Sequence, residues 1–435
     1  MTPFLYLTSS ALSLLGNSVA AIVLPLVLLQ TTGSVLAAGT LALATAAPGF
    51  LIGLAAGVVL DRINRRTVSI ASDLISAAAV AALPLTASLT ELNLGWFILF
   101  GFLGAFGDIP GMTARDTMLP AIARSARIAP ERLIGIGQGV GGLMVVIGPA
   151  AAGTLFLLLD GIGALWVTAA TSALAAILTL FLPRSIGVDH GGDTADAALG
   201  PVAQLLAGWR HLFSGASALW RIVCLGLVGM GALIAFQGTI LPAHFAFSAA
   251  PAGLGFALTG FALGTMLGGG IFAWLGARGS RGLWLGVGSL GAGVTIVGVA
   301  MLPGMWWIVG LMGLAGALIS LQSGVITAIL LEQVPDHMRG RILGTQNALL
   351  LILGPLVMFG TAAAAEFAGL VPAGVGVAVL ALLGTAALLL TLGRAALQNA
   401  PRAGAPGRGS PAEARGAHTS AKAPGTSPPA EARGA

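Results

Sequence analysis

Residues 57–66 read GVVLDRINRR and lie between two long apolar stretches, residues 35–60 and 67–89. Each stretch is long enough to cross the hydrocarbon core of a bilayer, which takes about 20 mainly apolar residues in a helix. The aspartate and three arginines between them would be costly to place in hydrocarbon. This part of the chain therefore predicts two membrane-spanning helices joined by a short charged loop at the membrane surface.

The composition of the whole chain also predicts a membrane protein. Of its 435 residues, 57% are hydrophobic and 8% are charged, whereas soluble globular domains carry about 25% charged residues. So few charged side chains could not cover a water-soluble globule of this length. This excludes a cytoplasmic enzyme, a nucleic-acid-binding protein and a secreted disulfide-rich domain, and it makes the lipid bilayer the expected environment.

Further apolar stretches of similar length follow along the chain, and we predict twelve transmembrane helices in total. The fold class is therefore all-α integral membrane. The apolar runs are too long and do not alternate with polar residues as the strands of a membrane β-barrel do. The predicted spans are residues 5–31, 35–60, 67–89, 94–114, 134–158, 162–183, 220–244, 252–276, 281–302, 305–330, 341–365 and 370–393.

Arginine residues occur in every second connection between these spans. Basic residues accumulate on the cytoplasmic side of membrane proteins. The even-numbered connections contain, among others, Arg62, Arg124, Arg278 and Arg339, whereas the odd-numbered connections contain no lysine or arginine. This asymmetry predicts that the N-terminus and the C-terminus are both cytoplasmic.

Matched segments indicate that the second half of the membrane part repeats the first. RLIG at 132–135 precedes Gly148-Pro149, and RILG at 341–344 precedes Gly354-Pro355. Six spans repeated in one orientation predict two six-helix bundles related by an axis along the membrane normal. The predicted domains are an N-terminal bundle (1–183), a cytoplasmic linker with an amphipathic segment (184–219), a C-terminal bundle (220–393) and a disordered cytoplasmic tail (394–435).

The charged loop at 57–66 resembles the signature of the major facilitator superfamily, Gly-x-x-x-Asp-Arg/Lys-x-Gly-Arg/Lys-Arg/Lys. The resemblance covers about residues 1–393 and departs at Asn64, where the family usually has glycine; asparagine also tolerates a left-handed turn. It implies a conformational latch, in which the Asp61 carboxylate faces the N-terminus of the eleventh span. The alternative is that the arginines only set the topology. The predicted latch residues are Gly57, Asp61, Arg62, Arg65 and Arg66.

The fifth predicted span resembles the glycine motif of antiporters in this superfamily, Gly-x8-Gly-x3-Gly-Pro-x2-Gly-Gly. Here Gly139, Gly148, Pro149 and Gly153 match it, whereas Ala152 replaces a glycine. Glycines on one helix face let two helices approach closely and slide, and a proline bends its helix. The motif favours export, and the alternative is ordinary close packing in a glycine-rich protein.

The loop between the tenth and eleventh spans resembles that of the macrolide-efflux and enterobactin-exporter branches. Its charged residues are Glu332, Asp336, Arg339 and Arg341. Opposite charges at this position can pair when the cytoplasmic face closes. Because exposed pairs contribute little individually, we expect them to act together as a cytoplasmic gate.

Charged residues inside the predicted spans are few, and an ionisable group in hydrocarbon indicates function. Asp108 in the fourth span is the most deeply placed carboxylate, and Asp73 lies two turns into the third span. Both are candidates for proton coupling, with Arg115 as a partner. Three alternatives stay open for Asp108: a proton carrier, an ion pair with an arginine, or a position facing water.

A transport cavity is expected at the midplane between the two bundles, lined by the first, fourth, seventh and tenth spans. The candidate lining residues are Asn17, Phe236, Gln237 and Gln322. Amides in spans are as often helix-helix hydrogen-bonding groups as ligands, which leaves their role open. So sparse a polar lining favours an amphipathic substrate over a sugar or a multiply charged ion.

The sequence contains no Gly-x4-Gly-Lys-Ser/Thr phosphate loop, no metal-ligand spacing among its histidines and no nucleophile elbow. We therefore expect neither an enzyme nor a metal or cofactor site, and a proton gradient as the driving force. The favoured function is efflux of a drug-like molecule or siderophore by a monomeric transporter in the cell membrane. The alternatives are proton-coupled uptake of a small solute and a non-transporting sensor or scaffold.

Overall fold

The structure, a computed structural model, describes residues 2–128, 130–187, 217–248, 250–275, 280–333 and 336–392. Side chains at 53–62, 330–333 and 336–348 are outside the described set. Most of the predicted linker and the predicted disordered tail also lie outside the described residues.

The described residues are almost entirely helical. Thirteen α-helices are present among them, and a π turn at Phe236–Ile240 joins α7 to α8. The helices are α1 (Thr2–Thr32), α2 (Val35–Arg62), α3 (Arg65–Leu89), α4 (Leu94–Ala126), α5 (Pro130–Leu158), α6 (Ala164–Leu180), α7 (Ser217–Ala235), α8 (Leu241–Phe247), α9 (Gly253–Leu275), α10 (Arg281–Ala300), α11 (Met305–Gln333), α12 (Asp336–Ala368) and α13 (Leu370–Thr391).

Ten helical segments of the described chain are long and apolar enough to cross a membrane. Two further apolar stretches, Val35–Ala46 and Ala164–Leu180, are shorter. Large apolar side chains remain exposed on the outside of the helices, as at Phe367 and Leu390, which are each 85% exposed. Contact with lipid explains such exposure, since a water-soluble protein avoids large apolar patches. The all-helical membrane fold is thus confirmed, and the number of twelve spans stays a prediction.

Helix packing brings the two halves of the chain together along three pairs of helices. Within the first half, α1 packs on α5 and α6, and α3 packs on α4 and α6; within the second, α11 packs on α9 and α10, and α7 on α12 and α13. Contacts between the halves join α1 to α8, α2 to α12 and α5 to α9. A buried apolar cluster that includes Val23, Leu26, Phe236 and Phe245 fills the space around α1 and α8.

Candidate functional site

Helix α3 carries a polar stripe that its apolar surroundings make conspicuous. Ser69, Ser72, Asp73 and Ser76 recur at intervals of three and four residues, so they lie on one helix face, and none is more than 5% exposed. Helix α4 approaches this face closely because Gly107 has no side chain there: a Cβ atom at Gly107 would lie 2.6 Å from the Ser72 carbonyl oxygen. This close approach brings the polar groups of α4 next to those of α3.

The centre of this contact is a buried ion pair. Arg115 Nη2 donates a hydrogen bond to Asp73 Oδ1, and Ser13 Oγ of α1 donates to the same oxygen at 3.1 Å. Asp73 is 3% exposed and Arg115 is 7% exposed. Asp73 Oδ2 has no hydrogen-bond partner among the described residues. A charged pair buried this deeply is rare in a membrane protein and indicates function.

A side pocket of about 170 Å³ lies on the other side of Arg115. Its lining includes Tyr6, Ser10, Asp116 and Gln138. The Tyr6 hydroxyl donates to the Arg115 carbonyl oxygen at 3.2 Å, which fixes α1 against α4. A water molecule takes about 30 Å³ in the liquid, so the volume of this pocket is enough for several. Arg115 therefore both pairs with the buried carboxylate and borders a space large enough for water.

The main cavity of the described chain has a volume of about 580 Å³ and a mostly apolar wall. Alanine, leucine, proline and phenylalanine side chains of α1, α2 and α4 form most of this wall. Its polar groups come from Asn17, Thr45, Ser76 and Asp108. Asp108 is the one charged residue among the described lining residues. An apolar wall with a few polar groups and one carboxylate suits an amphipathic ligand.

The proton-coupling candidates are thus brought close together but have different surroundings. Arg115 pairs with Asp73, while Asp108 faces the cavity beside Ser76 of α3. Of the three alternatives left open for Asp108, the structure supports a position on the cavity wall and not the pair with Arg115. Asp73 lies one helical turn from Ser76, so the ion pair and the cavity are separated by a single layer of side chains.

The cavity lining differs from the sequence prediction. Three of the four predicted spans line the cavity: the first through α1, the fourth through α4 and the seventh through Gly238 of the π turn. No residue of the tenth span is among the described lining residues. Helices α2, α3 and α12 also contribute to the wall. Asn17 lies on the cavity wall as predicted. The wall is therefore built mainly by the first half of the chain.

Phe236 and Gln237 do not line this cavity, and the π turn explains why. A π turn adds a residue to the helical turn and changes which side chains face a given direction. Here Gly238 forms part of the wall, Phe236 is only 1% exposed inside the apolar cluster, and Gln237 Nε2 is buried without a hydrogen-bond partner among the described residues. The candidate role of Phe236 and Gln237 in lining the cavity was predicted without knowledge of this π turn.

Gln322 also lies away from the main cavity. It is 5% exposed, and its Nε2 donates to the Leu225 carbonyl oxygen of α7 at 3.3 Å. It borders a much smaller pocket together with Gly229, Ser289 and Thr385. Gln322 is thus a helix-helix hydrogen-bonding residue in this structure, which is the alternative weighed for isolated amides.

In the charged loop between α2 and α3, Asn64 occupies the position at which the family usually has glycine. Asn64 has φ −56° and ψ 120°, so the turn does not use the left-handed conformation that we considered. Its Oδ1 instead accepts from the Arg66 backbone N–H at 3.0 Å and caps α3, and its Nδ2 donates to the Arg184 carbonyl oxygen at 3.0 Å. Asparagine thus supplies a helix cap that glycine cannot form with a side chain.

The arginines of this loop that the structure describes reach backbone carbonyls of neighbouring segments. Arg66, which is 8% exposed, donates to the Leu180 carbonyl oxygen at the end of α6. Arg65 Nη1 donates to the Thr117 carbonyl oxygen of α4 at 3.4 Å. These bonds hold the loop against the end of α6 and the side of α4, which is more than a topological role requires.

The rest of the predicted latch and the predicted gate belong to the ends of α2, α11 and α12. Gly57, Asp61 and Arg62 belong to the last turns of α2, which packs against α12. Glu332 lies in the last turn of α11, and the other gate residues lie in the first turns of α12. These side chains lie outside the described residues, so the latch and the gate, including Asp336, Arg339 and Arg341, stay predictions.

The glycine motif of α5 lies at a contact between the two halves. A Cβ atom at Gly153 would lie 2.8 Å from the Ala252 carbonyl oxygen and 3.4 Å from Gly255 Cα. Thr259 Oγ1 of α9 donates to the Val146 carbonyl oxygen at 3.2 Å, one turn before Pro149. Helices α5 and α9 are therefore almost in backbone contact.

Two other glycines of the motif behave differently from each other. Gly148 packs against α1, where a Cβ atom would collide with Ser18. A Cβ atom at Gly139 would meet no atom within 4 Å, so Gly139 is not a packing residue in this structure. The motif thus combines two packed positions with one open position.

Sequence reasoning missed Ser13, Ser76 and Thr45. The serine stripe of α3 could have been found from its helical spacing around Asp73. Ser13 and Thr45 give no such signal, since single hydroxyl residues in spans usually bond to their own helix, as Thr45 does through the Leu41 carbonyl oxygen at 2.8 Å. Their proximity to the site depends on how the helices pack.

Comparison with known proteins assigns the family. Residues 6–244 match the Major Facilitator Superfamily, which is more than half of the chain. The chain belongs to this superfamily and is a membrane transporter, not an enzyme. The resemblance seen in the charged loop is thereby confirmed.

The chain is similar to several efflux proteins. It is 30% identical over 360 residues to the multidrug efflux pump Tap of Mycolicibacterium fortuitum, an alignment that covers 82% of this chain and 87% of the relative. It is 23% identical to macrolide efflux protein A of Streptococcus pyogenes, covering 82% of this chain and 88% of the relative. The predicted resemblance to the macrolide-efflux branch agrees with this second match.

Solved structures share the fold at low sequence identity. The nucleoside transporter NupG superposes with a TM-score of 0.67 at 14% identity, covering 89% of this chain and 98% of that chain. A bacterial homologue of the iron transporter ferroportin in an inward-facing state gives 0.66 at 15% identity over the same shares. These likenesses concern the fold alone.

Proposed function

We propose that this protein exports a small amphipathic compound, such as a drug-like molecule or a siderophore, by alternating access. The observation that carries the proposal is the 580 Å³ cavity, whose apolar wall holds the single carboxylate of Asp108. The efflux activities named for its relatives support the direction of transport. The close glycine contact of α5 with α9 supports a rocking motion of the two halves, because such surfaces slide with little obstruction.

Proton entry is the proposed driving force, with no cofactor. Two features support it: Arg115 of the buried Asp73–Arg115 pair borders the side pocket, and one oxygen of Asp73 has no partner among the described residues. A carboxylate in this position can bind a proton from one compartment and release it to the other when the helices move. Asp108 is the second candidate carrier, since it faces the cavity directly.

The proposed topology has twelve spans in two six-helix bundles, with both termini in the cytoplasm. The contacts of two connections support it. Asn64, between α2 and α3, bonds to the Arg184 carbonyl oxygen, so two connections predicted to be cytoplasmic are in contact. Glu366, near the α12–α13 connection, bonds to the start of α2, so two connections predicted to be outside are also in contact. We expect a monomer in the cell membrane that acts on a small molecule and not on nucleic acid.

The test of this function is transport by purified protein in sealed proteoliposomes. A panel of fluorescent amphipathic compounds should move against a concentration gradient when a proton gradient is imposed, and proton movement should accompany it. The double variant Asp73→Ser with Arg115→Gln is the matched control, because it removes the proposed carrier without leaving a buried charge unpaired. Accumulation in the opposite direction would indicate uptake, and the absence of any flux across the panel would favour a sensor or scaffold.

A further inference from the structure

The first turn of α2 is capped by two side chains, one of which comes from the other half of the chain. Ser34 caps the helix locally by accepting from the Ala37 N–H at 3.3 Å. Glu366 Oε2, in the last turn of α12, accepts from the Val35 N–H at 3.0 Å and from the Leu36 N–H at 3.2 Å. Its Oε1 accepts from the Ser34 hydroxyl at 3.3 Å.

These bonds have a clear physical basis. The first N–H groups of a helix have no partner within the helix, and the partial positive charge of the helix N-terminus attracts a carboxylate. Glu366 is itself exposed. The contact is therefore strong enough to favour one arrangement of the two helices, and weak enough to break during a transport cycle.

The backbone around this contact is shaped to allow it. Both neighbouring turns use left-handed glycines, Gly33 with φ +67° and Gly369 with φ +93°. One turn further into α2, a Cβ atom at Gly39 would lie 2.6 Å from Ala362 Cβ and 3.0 Å from Phe359 Cα. The two helices thus meet tightly at the face that the arginine asymmetry predicts to be outside the cell.

We propose that Glu366 is a gating residue of the outer face. Its carboxylate holds the start of α2 against the end of α12 while the cavity is closed to the outside, and this contact opens when substrate is released. The proposal rests on the proposed function insofar as it assumes alternating access. It also mirrors the predicted latch at the opposite end of the same helix pair, where Asp61 is expected to face the start of α12.

The test measures how readily an impermeant thiol reagent reaches the cavity from outside in sealed cells. The reporter is Ala38→Cys in a Cys224→Ser background, because Ala38 is 6% exposed, lines the cavity and lies in the first turn of α2, which is predicted to be at the outer face. Adding Glu366→Ala should raise the labelling rate by about three- to tenfold, as expected for the loss of a charged helix cap. Glu91→Ala is the matched control: it removes an exposed glutamate that has no side-chain hydrogen bond among the described residues.

Two further variants make the test specific for the carboxylate. Glu366→Gln keeps an acceptor oxygen and loses the charge, so its labelling rate should lie between wild type and Glu366→Ala. Ser34→Ala removes its own bond to the Ala37 N–H and the longest contact with Glu366, but it leaves both backbone bonds of the carboxylate, so it should raise the rate least. This graded series is expected of a gate and not of a residue needed only for folding, which would lower the yield of folded protein without changing the labelling of the folded fraction.

Labelling of all Glu366 variants at the rate of Glu91→Ala would overturn the proposal. If Glu366→Ala does not fold, Glu366→Gln and Ser34→Ala decide the question by the same criterion. The labelling needs neither substrate nor a proton gradient. If the variants label as expected but the protein exports nothing, the proposed function is contradicted and the gating role of Glu366 is supported. If labelling is unchanged while export is intact, only the gating role is contradicted.

Discussion

Each half of the chain buries a polar cluster where three of its helices meet, but only the first cluster is charged. In the first half, Asp73 of α3 pairs with Arg115 of α4. In the second half, Ser289 of α10 and Gln322 of α11 border one small pocket, and Gln322 bonds to a backbone carbonyl oxygen of α7. The repeat predicted from the sequence would relate α3 and α4 to α10 and α11, so we interpret the two clusters as alternative solutions at one position of the fold.

The difference between the charged and the neutral cluster distinguishes polar groups that helix packing requires from polar groups that transport requires. A neutral amide with one hydrogen bond is sufficient to join the helices in the second half. An ion pair in the membrane is more costly, because both charges lose their hydration. Among the described residues such a pair occurs in the first half only, near the cavity wall that the same half supplies, and this supports the proposed role of the charges in transport.

The largest expected effect follows from splitting the charged pair. Arg115→Leu leaves the Asp73 carboxylate buried without its partner and should lower the free energy of unfolding by about 3–5 kcal/mol. Thermal unfolding of the detergent-solubilised protein measures this loss. The double variant Asp73→Ser with Arg115→Gln copies the cluster of the second half, and it should regain most of the stability while proton-driven export stays absent. A double variant as unstable as the single one would argue against the equivalence of the two clusters.

The next effect concerns the cavity carboxylate. Asp108→Asn keeps the size of the side chain and removes the charge, so the fold should be unchanged. If Asp108 carries the proton, gradient-driven accumulation in proteoliposomes is lost while exchange of substrate at equilibrium survives. Asn17→Ala, at another polar position of the same wall, should affect substrate binding and not the proton dependence. Wild-type accumulation by Asp108→Asn would leave Asp73 as the carrier.

A smaller effect is expected at the uncharged contact between α5 of the first half and α9 of the second. Gly153→Ala places a methyl group against the Ala252 carbonyl oxygen and should cost about 1–3 kcal/mol of stability through overpacking. We also expect slower transport, because α5 and α9 can no longer approach closely. Gly139→Ala is the control on the same helix, since no atom lies within 4 Å of its added Cβ. Equal turnover of both variants would remove the α5–α9 contact from the mechanism.

The smallest effect should come from the neutral cluster itself. Gln322→Leu removes one hydrogen bond between neutral groups, to the Leu225 carbonyl oxygen, and should cost about 0.5–1.5 kcal/mol. Export and its dependence on the proton gradient should remain close to those of the wild type, as measured by initial rates at several gradients. A loss of coupling in this variant would show that the second half also takes part in proton movement.

The sequence allowed good prediction of the helices and only partial prediction of the site. Long apolar runs, the charged loop and the Gly-Pro repeat each have a local cause, so they could be read without knowing the packing. Asp73, Arg115, Asp108 and Asn17 were found because charges and amides are rare in spans. Gln322 was assigned to the wrong surface, because its neighbours depend on how α11 rotates against α7.

Hydropathy and the signature loop by themselves determined a helical membrane transporter, and arginine placement predicted its orientation. These properties arise from the transfer of individual segments between water and lipid, so each segment contributes without reference to the others. Only the tertiary structure decided that Arg115 pairs with Asp73 and leaves Asp108 to the cavity. It alone also placed Glu366 at the start of α2, more than 300 residues earlier in the chain. Such contacts depend on the rotation and close approach of separate helices, which no local pattern records.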